Sequence, residues 1–174
     1  MTGRVEELIV VRASAAQAMQ TLLTAARLPE WVSPHLTVSP LTDASTLGTG
    51  DRFRLHVLGG ITFDYLVEAT SEREVVLSFR GPWSGRERWS FVPDGAETVV
   101  RRVYEVDEGS LAGELAWRTV GRALVIAHFK LELSRFRDAV ERHPGPRAEI
   151  AAPPNEKPST TPEGDRPPFP VDDG

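Results

Sequence analysis

The sequence predicts an α+β fold: a strongly curved antiparallel sheet of about seven strands wrapped around one long C-terminal helix, with two short helices after the first strand. Two observations predict it. Short alternating segments follow one another from Leu36 to Val106 with only turn-length connections. Parallel neighbours would need long crossovers, so this series folds as an antiparallel meander. No proline interrupts the run from Leu111 to Glu141, and Pro144 stops it. Within that run Leu115, Val120, Leu124, Ala127, Leu131 and Phe136 recur near helical spacing. Trp117, Val125, Ile126, Phe129 and Leu133 widen the apolar surface, and a helix so broadly apolar must be largely enclosed.

The elements follow in order. Val5 to Ala13 alternates as a strand. Ser14 and Gln17 have capping-box spacing and start a helix whose apolar stripe is Met19, Leu22, Leu23 and Ala26. Pro29 interrupts it, and Glu30-Trp31 begins a second short helical turn that ends before Pro34. Leu36 to Leu41 is a weak strand, and Gly48-Thr49-Gly50 turns the chain. Asp51 to Leu58 puts Phe53, Leu55 and Val57 on one face. Gly59-Gly60 suits a two-residue hairpin turn because both positions tolerate positive φ. Ile61 to Ala69 then places Ile61, Phe63, Tyr65 and Val67 on one face. Glu74 to Arg80, Arg86 to Val92 and Thr98 to Val106 complete the strands, separated by Gly81-Pro82-Trp83-Ser84-Gly85 and by Pro93-Asp94-Gly95. Ser110 is placed to cap the long helix.

Composition excludes several classes. The chain has 174 residues, 40% of them hydrophobic, which suits one domain with a core. Its net charge of -5 and the lack of any Lys/Arg block argue against nucleic-acid binding. With no cysteine there is no disulfide, thiolate metal site or cysteine nucleophile. The apolar run near the N-terminus, Leu8 to Val11, is too short for a signal peptide or membrane insertion, so a cytoplasmic location is expected.

After His143 the composition changes. The stretch 144–174 holds nine of the chain's 14 prolines, with three basic and six acidic residues, so it carries -3 of the net charge. Such a segment cannot bury enough apolar surface to offset the entropy of ordering it, and a disordered Pro-rich acidic tail is expected. Its Arg-Pro-Pro-Phe-Pro run, ending at Pro170, suits the aromatic groove of a protein partner; a purely solubilising tail is the other reading.

Several local features resemble one superfamily. The first strand leads to a helix ending in Leu28-Pro29-Glu30-Trp31, and Gly48-Thr49-Gly50-Asp51 opens a strand. Gly81-Pro82-Trp83-Ser84-Gly85 precedes Trp89-Ser90-Phe91, with Glu97-Thr98-Val99-Val100 in a late strand. With the element order, these resemble the START-like (SRPBCC) superfamily, which includes Bet v 1-type allergens and polyketide cyclase/dehydrase-like or lipid-transport-like proteins. The resemblance spans about residues 4–142. It implies a helix-grip fold with a cavity between sheet and long helix that holds an apolar or amphipathic small molecule. It carries no shared catalytic signature, and no cofactor.

The residues set to line such a cavity are Trp31, Phe53, Leu55, Phe63, Tyr65, Phe79, Trp83, Trp89 and Phe91, with Val120, Leu124 and His128 from the helix. Each could equally be packed core. Trp31 and Trp83 fall in loops and could cover the pocket mouth or pack on the sheet edge. Gly113 and Gly121 lie inside the helix despite a cost of about 1 kcal/mol each, which either leaves room for ligand or admits a close strand. One of Arg101 and Arg102 must point inward, and Arg102 is favoured by its alternation with Val100, Tyr104 and Val106. A buried arginine needs a carboxylate or an anionic ligand group, and Glu87 shares the face of Trp89 and Phe91. His128 could exchange a proton with a ligand carbonyl, or be a hydrogen-bonded core histidine.

Other chemistry finds no support. The four histidines have no metalloprotease spacing, no Gly-x-Ser-x-Gly elbow occurs, and Gly48-Thr49-Gly50 precedes a strand rather than a helix, so no phosphate loop forms. No metal site is expected. Three functions remain: a non-catalytic binder of a lipid, isoprenoid or polyketide-like molecule; a polyketide cyclase/dehydrase-like enzyme using His128, Arg102, Glu87 and Tyr65 as acid/base groups; and a protein-interaction module. Truncation after His143 is expected to leave the melting temperature nearly unchanged in differential scanning calorimetry, and a large fall would show that the tail packs on the domain.

Overall fold

The computed structural model describes residues 3–57, 59–107 and 111–143; the Ser110 cap and the tail lie outside the described residues. β1 (Gly3–Val11) leads through α1 (Ala15–Leu23) and a short 3-10 turn to α2 (Leu28–Trp31). Then come β2 (Leu36–Pro40), β3 (Arg52–Val57), β4 (Ile61–Thr70), β5 (Glu74–Arg80), β6 (Ser84–Asp94) and β7 (Glu97–Val106). The C-terminal helix comprises α3 (Leu111–Ala116), a π-helical turn at Trp117–Gly121, and α4 (Arg122–Arg142).

All seven strands form one antiparallel sheet in the order β1-β7-β6-β5-β4-β3-β2. Successive hairpins build β2 to β7, and β1 adds to the free side of β7. The turn residues do what their chemistry allows: Gly59 and Gly60 take φ of 93° and 82°, the region closed to most side chains. On the solvent face, ion pairs link neighbouring strands, Arg54 to Asp64 and Glu6 to Arg101 among them.

Ser14 caps α1 by accepting a hydrogen bond from the Gln17 backbone N–H at 3.2 Å. The Gln17 side chain does not return the bond to Ser14; it donates to the His143 carbonyl at 2.6 Å, tying α1 to the end of α4. Inside, Trp31, Trp89 and Phe136 make one aromatic cluster, with centroids 5.3 to 6.0 Å apart. Phe79, Trp83, Tyr104, Trp117 and Phe129 make a second. The core therefore lies between the inner sheet face and the helix.

The helix differs from the sequence reading in phase. Trp117, Gly121, Val125, Phe129, Leu133, Phe136 and Val140 are buried, whereas Leu115 and Val120 are about two-thirds exposed and Leu131 is 40% exposed. The expected stripe needs steps of five residues at Leu115–Val120 and Leu131–Phe136, and five residues turn an α-helix well off one face. The true face steps by three and four. Gly121 admits close neighbours: a Cβ there would lie 3.0 Å from both Trp83 and Trp117. Among the described residues, no helix is long and apolar enough to cross a membrane.

Gly85 sets the β6–β7 approach. A Cβ built on it would overlap the Glu105 carbonyl oxygen and press on Phe79. Gly85→Ala is expected to lower stability by about 1–3 kcal/mol, the range for forced overpacking, read as a shifted midpoint in urea denaturation.

Candidate functional site

Strand alternation brings charge into this core. On β7, Thr98, Val100, Arg102, Tyr104 and Val106 are buried, while Arg101 faces solvent and pairs with Glu6. On the neighbouring strand β6, Trp89 lies opposite Arg102 and Glu87 lies opposite Tyr104. Glu87 and Arg102 thus share the inner face as diagonal neighbours. From above, α4 supplies Glu132, in helical phase with Val125, Phe129 and Phe136.

The three side chains meet. Arg102 Nε donates to Glu87 Oε1 at 2.8 Å, and Arg102 Nη1 donates to Glu132 Oε2 at 2.6 Å. All three are at most 5% exposed. Trp89 Nε1 also donates to Glu87 Oε1, at 2.5 Å, and the Ser33 backbone N–H donates to Glu132 Oε1 at 3.1 Å. The guanidinium carbon lies 3.7 Å from the Phe129 ring centroid and 4.6 Å from that of Trp89, close enough for cation–π attraction. Burial disfavours the Arg102 charge, but the two carboxylates more than reverse this and hold its pKa above the ordinary value.

A tyrosine pair continues the network. Tyr65 donates a long hydrogen bond to Glu87 Oε2 at 3.5 Å, and Tyr104 accepts one from Trp83 Nε1 at 3.0 Å. Burial, reinforced by the Glu87 charge, pushes both phenols above their ordinary pKa, so both keep their protons.

Beside this network lies a cavity of about 60 Å³. Its floor is Tyr65, Arg102, Tyr104, Phe129 and Glu132, all buried. Its outer wall is Leu36, Leu55, Val57, Leu124 and His128, all partly exposed. The floor mixes these polar groups with apolar ones, since Phe63, Trp83 and Val125 are buried in it too, and the mouth is apolar apart from His128. The volume is that of about two waters, well short of the several hundred Å³ that encloses a whole drug-sized molecule. His128 Nδ1 is buried without a hydrogen-bond partner among the described residues, and its ring lies 6.4 Å from that of His35.

Of the sequence-derived candidates, Leu55, Phe63, Tyr65, Trp83, Arg102, Leu124 and His128 line this cavity. Phe53, Phe79, Trp89 and Phe91 are buried core outside it, and Trp31 packs between Trp89 and Phe136 rather than covering a mouth. Val120 is exposed, for the reason of helical phase given above. Glu87 lies behind the floor, reached through Arg102. Sequence reasoning missed Glu132 and Tyr104. The signal was present for each: an acid in phase with the helix core, and a tyrosine alternating with Arg102.

A larger cleft of about 690 Å³ opens on the surface between Glu30 of α2 and Arg135, Asp138, Glu141 and Arg142 of α4. Its walls are charged and face solvent, so it lacks the apolar enclosure of a small-molecule site. Among the described residues, no cluster of three or more His, Asp or Glu side chains could hold a metal ion.

The family model for polyketide cyclase / dehydrase and lipid transport matches residues 2–141. Solved structures share the architecture. The Zhui aromatase/cyclase from Streptomyces sp. R1128 is 19% identical, covering 80% of this chain and 94% of its own at a TM-score of 0.62. Norcoclaurine synthase from Thalictrum flavum, solved with dopamine and hydroxybenzaldehyde, is 14% identical over 83% of this chain and 89% of its own, at 0.64. A protein from Thermus thermophilus is 12% identical over 80% and 98%, at 0.63. Likeness at these identities shows a shared fold. No curated protein matches the chain.

Removing the cation should be worse than removing all the charge. Arg102→Leu strands two buried carboxylates and is expected to cost about 3–5 kcal/mol in chemical denaturation. Adding Glu87→Gln and Glu132→Gln to that variant should recover part of the loss.

Proposed function

The chain belongs to the polyketide cyclase / dehydrase and lipid transport family of the START-like superfamily, and we propose that it binds a hydrophobic or amphipathic small molecule, such as a lipid, isoprenoid or polyketide, in the cavity between sheet and α4. One observation carries the reading: a buried floor that holds the polar groups of Tyr65, Arg102, Tyr104 and Glu132 among apolar side chains, under a partly exposed and mostly apolar mouth. That arrangement suits a molecule with a small polar end and an apolar body. The polar end enters the 60 Å³ space, and the body rests against Leu36, Leu55, Val57 and Leu124. Exclusion of water there strengthens each hydrogen bond made at the floor.

A second reading, a cyclase/dehydrase-like enzyme, draws support from His128. Its unpartnered Nδ1 belongs to the same cavity wall as Tyr65 and Arg102. An imidazole there could take a proton from a ligand carbon or oxygen while Arg102 donates a hydrogen bond to the ligand carbonyl. Under this reading His128→Ala lowers turnover and leaves ligand affinity largely intact; under simple binding there is no turnover to lose.

Native mass spectrometry of protein purified from its own source should show a non-covalent small-molecule adduct. Leu124→Trp, which fills the mouth, should abolish the adduct without unfolding the protein. A clean apo mass, together with no thermal shift across a panel of lipids, isoprenoids and aromatic polyketones, would overturn the binding reading.

A further inference from the structure

An arginine on the floor of an apolar cavity ordinarily marks a site for an anion. The surroundings of Arg102 reverse that expectation. Its guanidinium is held from two sides by carboxylates, Glu87 at 2.8 Å and Glu132 at 2.6 Å. By formal charge, two carboxylates face one guanidinium in the buried network, a formal balance of -1. The described side chains on the cavity wall add no further fixed cation: the remaining titratable groups there are Tyr65, Tyr104 and His128. Solvent does little to screen the imbalance, because each member of the triad is almost wholly enclosed.

A carboxylate brought to the outer N–H groups of Arg102 would meet one attraction at contact distance. It would meet two repulsions, each from only one guanidinium width farther away. These nearly cancel, and the cost of stripping water from the incoming charge is left unopposed. A neutral oxygen faces no such cost and needs only a donor. Arg102 has donors to spare: a guanidinium carries five N–H groups, and only those on Nε and Nη1 have acceptors among the described residues. Glu132 cannot compete for a ligand's donor as freely, since both its oxygens already accept bonds, one from Ser33 and one from Arg102.

We propose, resting on the binding reading above, that the cavity selects ligands whose buried end is a neutral hydrogen-bond acceptor, a ketone, ester or amide carbonyl, and excludes those that end in a carboxylate. Glu87 and Glu132 are then specificity-determining residues: they hold Arg102 in place as a donor and cancel its value as a counter-ion. The apolar body of the ligand contributes equally to both members of a matched pair, so the discrimination resides in the floor.

The experiment titrates the full chain at neutral pH with two isosteric pairs, phenylacetamide against phenylacetate and dodecanamide against dodecanoate, by calorimetry. The amide of each pair should bind about tenfold more tightly or better than its acid. Glu132→Gln removes one unit of negative charge from beside Arg102 and should narrow that ratio; Glu87→Gln removes the same unit from behind it and serves where the first variant does not fold. Equal or tighter binding of the acids to the wild-type chain overturns the selectivity and leaves the cavity reading standing. Binding by neither acids nor amides overturns both.

Discussion

The tie from Glu87 through Arg102 to Glu132 is the interaction on which the rest of this structure depends. It joins β6, β7 and α4, and through the Ser33 backbone it reaches the segment after α2. A helix laid across a curved sheet by apolar contacts alone could rotate or slide at small cost, since such contacts are non-directional. Two charge-assisted hydrogen bonds with fixed geometry admit one azimuth of α4. Burying three charges is expensive, and such networks add little stability over well-packed apolar residues. Their contribution here is a defined helix position and, with it, a defined cavity.

The cavity is a consequence of that position. Aromatic clusters fill the space on both sides of the triad, Trp31, Trp89 and Phe136 on one and Phe79, Trp83, Tyr104 and Trp117 on the other. What is left open lies beside Arg102, beneath the half of α4 that begins at the π turn. Gly121 lets Trp83 and Trp117 approach closely at that turn. The partly exposed residues of the cavity lining come from β2, β3 and the Leu124–His128 stretch. Fold and chemistry meet at one residue, Arg102, which holds α4 through Glu132 and also lines the cavity.

Much of this is legible along the chain. Alternation on β7 points Arg102 inward and Arg101 outward, and the shared face of Glu87, Trp89 and Phe91 offers it a partner. Both readings rest on the two-residue period of a strand, which is a local property. The long helix is harder. Broad apolarity announces its enclosure but blurs its phase, so Leu115, Val120 and Leu131 read as part of the stripe although they face solvent. Glu132 escapes notice because an acid amid apolar residues reads as exposed until its partner is known.

The sequence by itself determined the strands, the antiparallel meander from β2 to β7, the position of the long helix, and the inward side of β3, β4, β6 and β7. Each follows from periodicity, turn chemistry or connection length, and each acts over a few residues. Only the tertiary structure decided that the inward arginine has two carboxylates rather than one, that Trp31, Phe53 and Phe79 are core and not cavity wall, and that the space left over is about 60 Å³. Those outcomes depend on the curvature of the whole sheet and the rotation of α4 upon it. Both are sums over many distant contacts, and no stretch of sequence contains them.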